Sequence, residues 1–71
     1  MPKFSVLIIE DENKIQTFMG KILKRHDYRV LCSSTGREAL EIIRSQCPDV
    51  ILLDLGLPDM DGSSVIREVR T

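Results

Sequence analysis

The sequence predicts an α/β fold in which helices flank a parallel β-sheet. Three observations lead there. Short, almost continuously apolar runs rich in β-branched residues are the pattern of strands buried on both faces. Between them lie stretches whose apolar residues recur at helical spacing. The two kinds alternate strictly, strand–helix–strand–helix–strand–helix, through short connections, which implies parallel pairing by right-handed crossovers.

The first strand falls within residues 3–9 (Lys-Phe-Ser-Val-Leu-Ile-Ile) and stops at Glu10, Asp11 and Glu12. From Asn13 the period changes: Ile15, Phe18, Met19, Ile22 and Leu23 form one helical face, with Lys14, Gln16, Thr17, Lys21, Lys24 and Arg25 around the rest. The spacing predicts an amphipathic helix over residues 13–26, its cations gathered toward the C-terminal end, where the helix dipole favours them. Residues 28–32 (Tyr-Arg-Val-Leu-Cys) read as a second strand. Thr35 followed by Glu38 spells a capping box. The helix it opens spans residues 36–46, with Ala39, Leu40 and Ile43 inward, and Pro48 prevents its continuation. Residues 50–53 (Val-Ile-Leu-Leu) form a third buried strand ending at Asp54, and residues 55–62 are a loop by their Gly, Pro and Asp content. A last helix is expected over residues 63–70, with Val65, Ile66 and Val69 inward.

Composition narrows the function. The chain has 71 residues, 42% hydrophobic and 30% charged, so it holds one unit at most, since a domain typically runs to about 100–150 residues. Ten basic residues against eleven acidic give a net charge of −1, without the basic excess of a nucleic-acid-binding surface. The longest apolar runs are four residues, far short of the roughly 20 that span a membrane. Cys32 and Cys47 are too few and too far apart for a disulfide scaffold or metal knuckle, and they suit a reducing cytoplasm. At about 1.5 kcal/mol of ordering entropy per residue, so short a chain barely balances its hydrophobic burial. It is unusually well packed, or binds a partner, or is a piece of something longer.

In an open parallel sheet, ligands bind beyond the carboxyl ends of the strands. Two of the three expected strands end there in acids: the first at Glu10, Asp11 and Glu12, the third at Asp54. If those strands are neighbours, the acids converge, and like charges that close resist ionising unless a cation intervenes. Hard oxygen donors suit Mg²⁺. A plainer reading makes Asp11 or Asn13 an N-cap of the first helix. Two acidic groups at adjacent strand ends favour the metal.

Three blocks resemble the receiver domain of two-component response regulators. They are residues 6–12 (Val-Leu-Ile-Ile-Glu-Asp-Glu), 35–40 (Thr-Gly-Arg-Glu-Ala-Leu) and 48–62 (Pro-Asp-Val-Ile-Leu-Leu-Asp-Leu-Gly-Leu-Pro-Asp-Met-Asp-Gly). Within that family the variant looks most like winged-helix transcriptional regulators, particularly the potassium-responsive branch. The resemblance implies a flavodoxin-like (CheY-like) sheet of strand order 2-1-3. It implies that Asp54 accepts a phosphoryl group from a sensor histidine kinase to control an output such as transcription, with no further enzymatic activity. It also implies an Mg²⁺ site built from Asp11, Asp54 and the backbone carbonyl of Gly56, with Glu10 reaching the metal through water. Asp59 and Asp61 read as turn and helix-entry residues, His26 as a helix-terminus cation, and Cys47 as an inert small residue.

A complete receiver carries two further strands and two helices, so the resemblance marks residues 1–71 as the N-terminal part of one. It then implies partly retained Mg²⁺ affinity, impaired phosphotransfer and lost regulated output. The third strand would become an edge, open to a homodimer through its free side or to exchange of elements between copies. Two other readings compete. A haloacid-dehalogenase-type phosphohydrolase needs a second Asp two residues after the first, followed by Thr, where Gly56 and Pro58 stand. A non-catalytic interaction module predicts a lost acid pair or acceptor, and both are present.

Overall fold

A computed structural model describes residues 4–53 together with Asp59 and Arg67. Within it run β1 (Ser5–Ile9), α1 (Asn13–Arg25), β2 (Arg29–Ser33), α2 (Gly36–Gln46) and β3 (Val50–Leu53). The last helix expected over residues 63–70 lies outside the described residues, apart from Arg67. The three strands form one parallel sheet in the order β2-β1-β3.

β1 is central, and all five of its residues are buried, as its apolar, β-branched run requires. Alternation along the strands sorts the core onto two faces. Leu7 and Ile9 meet Ala39 of α2, with Leu31, Leu40, Ile42, Ile43, Ile51 and Leu53 packed around them. The opposite face carries Ile8 and Leu52 and receives Met19 of α1. There the buried Gly20 of α1 faces Val30 of β2.

Chain ends and caps refine the sequence reading. Residue 28 was expected to open β2, but the Tyr28 N–H donates to Leu23 O and the Asp27 N–H to Lys24 O. These paired bonds, with Asp27 at φ 65°, form a Schellman cap, so Tyr28 belongs to the end of α1 and β2 starts one residue later. His26 is the C-cap rather than a helical residue. At α2 the capping residue is Thr35 as expected, its hydroxyl accepting the Glu38 N–H at 3.2 Å. The Glu38 carboxylate reaches back to the Ser34 N–H at 3.3 Å.

The expected inward face of α1 needs correction. Ile15, Phe18 and Ile22 are 47%, 66% and 41% exposed. The sheet instead meets the side bearing Gln16, Met19, Gly20 and Leu23, which are buried or half-buried. At about 100° per residue, the buried arc is rotated roughly 80° from the centre of the apolar stripe. Only Met19 and Leu23 belong to both.

Candidate functional site

The C-terminal edge of the sheet is where the acidic residues leave it. β1 and β3 are adjacent and parallel, with Ile9 paired to Leu53. The next residues in the sequence are Glu10 and Asp54. Two acidic positions therefore follow directly from two paired residues on strands about 4.8 Å apart. Below this edge lies a recess of about 250 Å³ lined by Ile8, Ile9, Glu10, Met19, Leu52 and Leu53.

Glu10 is half-buried and held at both ends. Its backbone N–H donates to Ser33 O at 3.0 Å, extending the β1–β2 pairing by one step. Its Oε1 accepts the Glu12 N–H at 3.2 Å. The Gln16 side-chain amide donates to Glu10 O and to Ser33 O, each at 3.0 Å. The helix after β1 is thus pinned to the ends of two strands. Asp11 is exposed beside this joint.

The N-cap of α1 is Glu12, and its side chain makes no capping hydrogen bond. Neither Asp11 nor Asn13 occupies the cap position, and Asp11 is open to solvent one residue before it. Asp54 and Gly56 lie outside the described residues. Among the described residues no group of three metal-ligating side chains occurs. The described donors fit Mg²⁺ in kind: Glu10 and Asp11 are hard carboxylates at one strand exit, one partly sheltered and one open to water.

Asp59 was expected to serve only the turn. Its carboxylate instead accepts the N–H of Gly36 at 2.7 Å and of Arg37 at 2.9 Å. With Thr35 taking the Glu38 N–H, every donor in the first turn of α2 has a partner. The bonds from Arg37 and then Gly36 hold the Asp59 carboxyl below its ordinary value. No local sequence pattern announces a bond between residues 23 apart. The only cue was an unpaired helix start awaiting an acid. Elsewhere, desolvation pushes the Cys32 thiol up against the pull of Lys24, which argues against a reactive thiolate.

The family follows from comparison with known proteins. Residues 6–71 match the model of the response regulator receiver domain. The chain belongs to that family. The receiver is 41% identical over 66 residues to the transcriptional regulatory protein AfsQ1 of Streptomyces coelicolor, a match spanning 93% of this chain and 29% of AfsQ1. The signal receiver domain of a LuxO repressor protein from Vibrio parahaemolyticus superposes with a TM-score of 0.92 at 32% identity, over 97% of this receiver and 53% of that chain. The receiver domain of the sensor histidine kinase PA1611 from Pseudomonas aeruginosa, solved with a magnesium ion in its active site cleft, gives a TM-score of 0.90 at 35% identity, over 97% of this receiver and 57% of that chain. The receiver thus spans about half the length of these solved structures. Its three-stranded parallel sheet with flanking helices is the CheY-like arrangement the sequence predicted.

Proposed function

We propose that this receiver accepts a phosphoryl group on Asp54 from the phosphohistidine of a sensor histidine kinase. The observation that carries the proposal is the pairing of Ile9 with Leu53, which makes Glu10 and Asp54 the next residues from neighbouring strands. A carboxylate oxygen of Asp54 attacks phosphorus, a P–O bond forms, and the P–N bond to the kinase imidazole breaks with its electron pair leaving on nitrogen. The product is an acyl phosphate, so the chain is modified rather than acting as an enzyme on other molecules.

The residues proposed to hold Mg²⁺ are Asp11, Asp54 and the Gly56 carbonyl, with Glu10 through water. When bound, the ion would neutralise charge on the transferring phosphoryl group. Glu10, its backbone tied through Gln16 and Ser33 and its carboxylate accepting the Glu12 N–H, supplies a negative edge, and Asp11 lies exposed beside it. The magnesium-bearing PA1611 receiver is a relative in which such an ion sits in the cleft, and AfsQ1 makes transcription a fitting output.

The proposal includes a cytoplasmic setting, where the kinase's phosphohistidine and Mg²⁺ are available. No described helix is long and apolar enough to cross a membrane. The kinase-facing surface is assigned to the exposed Ile15, Phe18 and Ile22 of α1. A homodimer through the outer side of β3, or by exchange of elements, completes the reading. Among the described residues β3 pairs with β1 alone, and sedimentation at micromolar concentration would detect the dimer or show a monomer in its place.

Intact-mass measurement after incubation with acetyl phosphate and Mg²⁺ tests the central step. One phosphoryl adduct is expected on the wild type, none on Asp54→Asn and none with chelator present. An adduct that survives Asp54→Asn would refute the assignment.

A further inference from the structure

We propose that Gln16 is a positioning residue for the acid pair at the β1 exit: its side-chain amide fixes the peptide plane from which Asp11 departs. The proposal rests on the Mg²⁺ reading of Glu10 and Asp11 and adds to it a residue that does not itself coordinate the ion. The Gln16 amide nitrogen donates to Glu10 O and to Ser33 O, each at 3.0 Å. Both groups facing it are carbonyl oxygens, which only accept, so the amide presents its nitrogen there and not its oxygen. Ser33 is buried and Gln16 half-buried, so water competes poorly for these bonds.

Peptide planarity carries the effect to Asp11. The carbonyl of Glu10, the N–H of Asp11 and the Cα atoms of both lie in one stiff plane. A bond that holds Glu10 O therefore orients the Asp11 Cα as well. The rest of the exit is fastened too. The Glu10 N–H reaches Ser33 O and the Gln16 N–H reaches Glu12 O, each at 3.0 Å. The Glu12 N–H donates to Glu10 Oε1 at 3.2 Å. Main-chain groups are thus bonded on both sides of Asp11, while among the described residues the exposed Asp11 carboxylate has no hydrogen-bond partner. A ligand on a backbone already held loses less freedom when it binds. Mg²⁺ demands near-ideal octahedral geometry, whereas Ca²⁺ accepts variable coordination. Gln16 therefore serves both affinity and the preference for the smaller ion.

The test compares wild type, Gln16→Met and Thr35→Ala. Met keeps the length and helix propensity of Gln but has no N–H to donate. Thr35→Ala weakens the α2 cap and leaves the α1 joint intact. Mg²⁺ and Ca²⁺ titrations followed by NMR give the two midpoints, nitrogen relaxation gives the order parameter of the Asp11 amide, and urea unfolding gives stability. The expected result for Gln16→Met is a lower order parameter at Asp11 and a several-fold weaker Mg²⁺ midpoint, with the Ca²⁺ midpoint changed much less. Thr35→Ala is expected to lose stability with both midpoints unchanged. An unchanged Mg²⁺ midpoint in Gln16→Met, or equal weakening toward both ions, would overturn the proposal and leave Gln16 a structural fastening alone. If Gln16→Met does not fold, the wild type decides: its Asp11 amide is expected to be as rigid without Mg²⁺ as with it, and an amide that orders only when the ion binds would overturn the proposal. A wild type that binds no Mg²⁺ brings down the metal reading and the proposal together. One that binds Mg²⁺ but forms no acetyl phosphate adduct brings down the phosphoacceptor reading alone, and the midpoints still decide Gln16.

Discussion

Gln16 on α1 donates its side-chain amide to the carbonyl of Ser33 at the end of β2, at 3.0 Å. The second proton of the same amide goes to Glu10 O, also at 3.0 Å, so one group ties a helix to two strand exits. Losing both bonds while leaving the carbonyls in place should cost about 1–3 kcal/mol. Gln16→Ala is therefore expected to lower the urea midpoint. Gln16→Glu should lower it further at neutral pH, since a carboxylate offers no proton to either carbonyl and repels Glu10. A glutamate variant as stable as the wild type would show that the amide is not what holds the joint.

Gly20 invites the opposite change. It lies inside α1 and is buried, yet a Cβ there would meet Val30 Cγ1 at 3.8 Å, ordinary contact. Gly20→Ala should stabilise the protein by roughly 1 kcal/mol from helix propensity and reduced freedom of the unfolded chain. A lower midpoint for this variant would mean that α1 sits closer to β2 than 3.8 Å implies.

Asp27 occupies the left-handed position after α1 with φ 65°, a conformation costly for residues with a Cβ and cheap for glycine. Asp27→Gly is expected to stabilise by roughly 0.5–1 kcal/mol, the relief of strain exceeding the entropy added to the unfolded chain. Thermal melts of the two proteins in one buffer provide the check.

Acid should act on the Asp59 tether. The Arg37 and Gly36 N–H groups lower the carboxyl's pKa in the folded state. Such a group contributes stability that is fully present above its unfolded value of about 3.9 and is lost as pH falls through the lower folded value. No weakening is expected between neutrality and the usual aspartate range. Below it, amide exchange at Gly36 and Arg37, corrected for intrinsic rates, should accelerate. The Asp59→Ala protein should lack that step, and an identical acid profile in both would exclude the carboxylate as its source.

Elements whose formation depends on neighbouring residues were legible in the sequence. The β1 and β3 runs, the Thr35 cap and the extent of α2 follow from β-branched content, local capping chemistry and Pro48, and all appear in the structure, although β3, expected to be buried, is half-buried with Val50 exposed, because among the described residues it pairs on one side only. The α1 stripe was legible as a helix but not in its rotation: periodicity shows which residues are apolar, not which of them the sheet covers. Ile15, Phe18 and Ile22 were therefore placed inward and are exposed. Gln16 and Asp59 went unread for a related reason. Each acts on an element distant in sequence, and a polar residue facing a carbonyl or a helix start looks, in sequence alone, like one facing water. Of the candidate site, the Glu10–Asp11 exit was readable because the acid run ends an apolar strand, whereas Asp54 and Gly56 lie outside the described residues.

The far end of the sheet carries its own fastening. Asp49, just before β3, accepts the Ser5 N–H at 2.8 Å and the Ser5 hydroxyl at 3.2 Å, while its own N–H donates to Ser5 O at 2.9 Å. A slip of β3 by one residue would turn Leu52 and Leu53 to the wrong sides and shift its exit by about 3.3 Å. The knot at Ser5 prevents that slide from the end remote from the acids. A lesion there, at the opposite end of the strands, would move the exit of β3 out of alignment with Glu10 as surely as a change beside it.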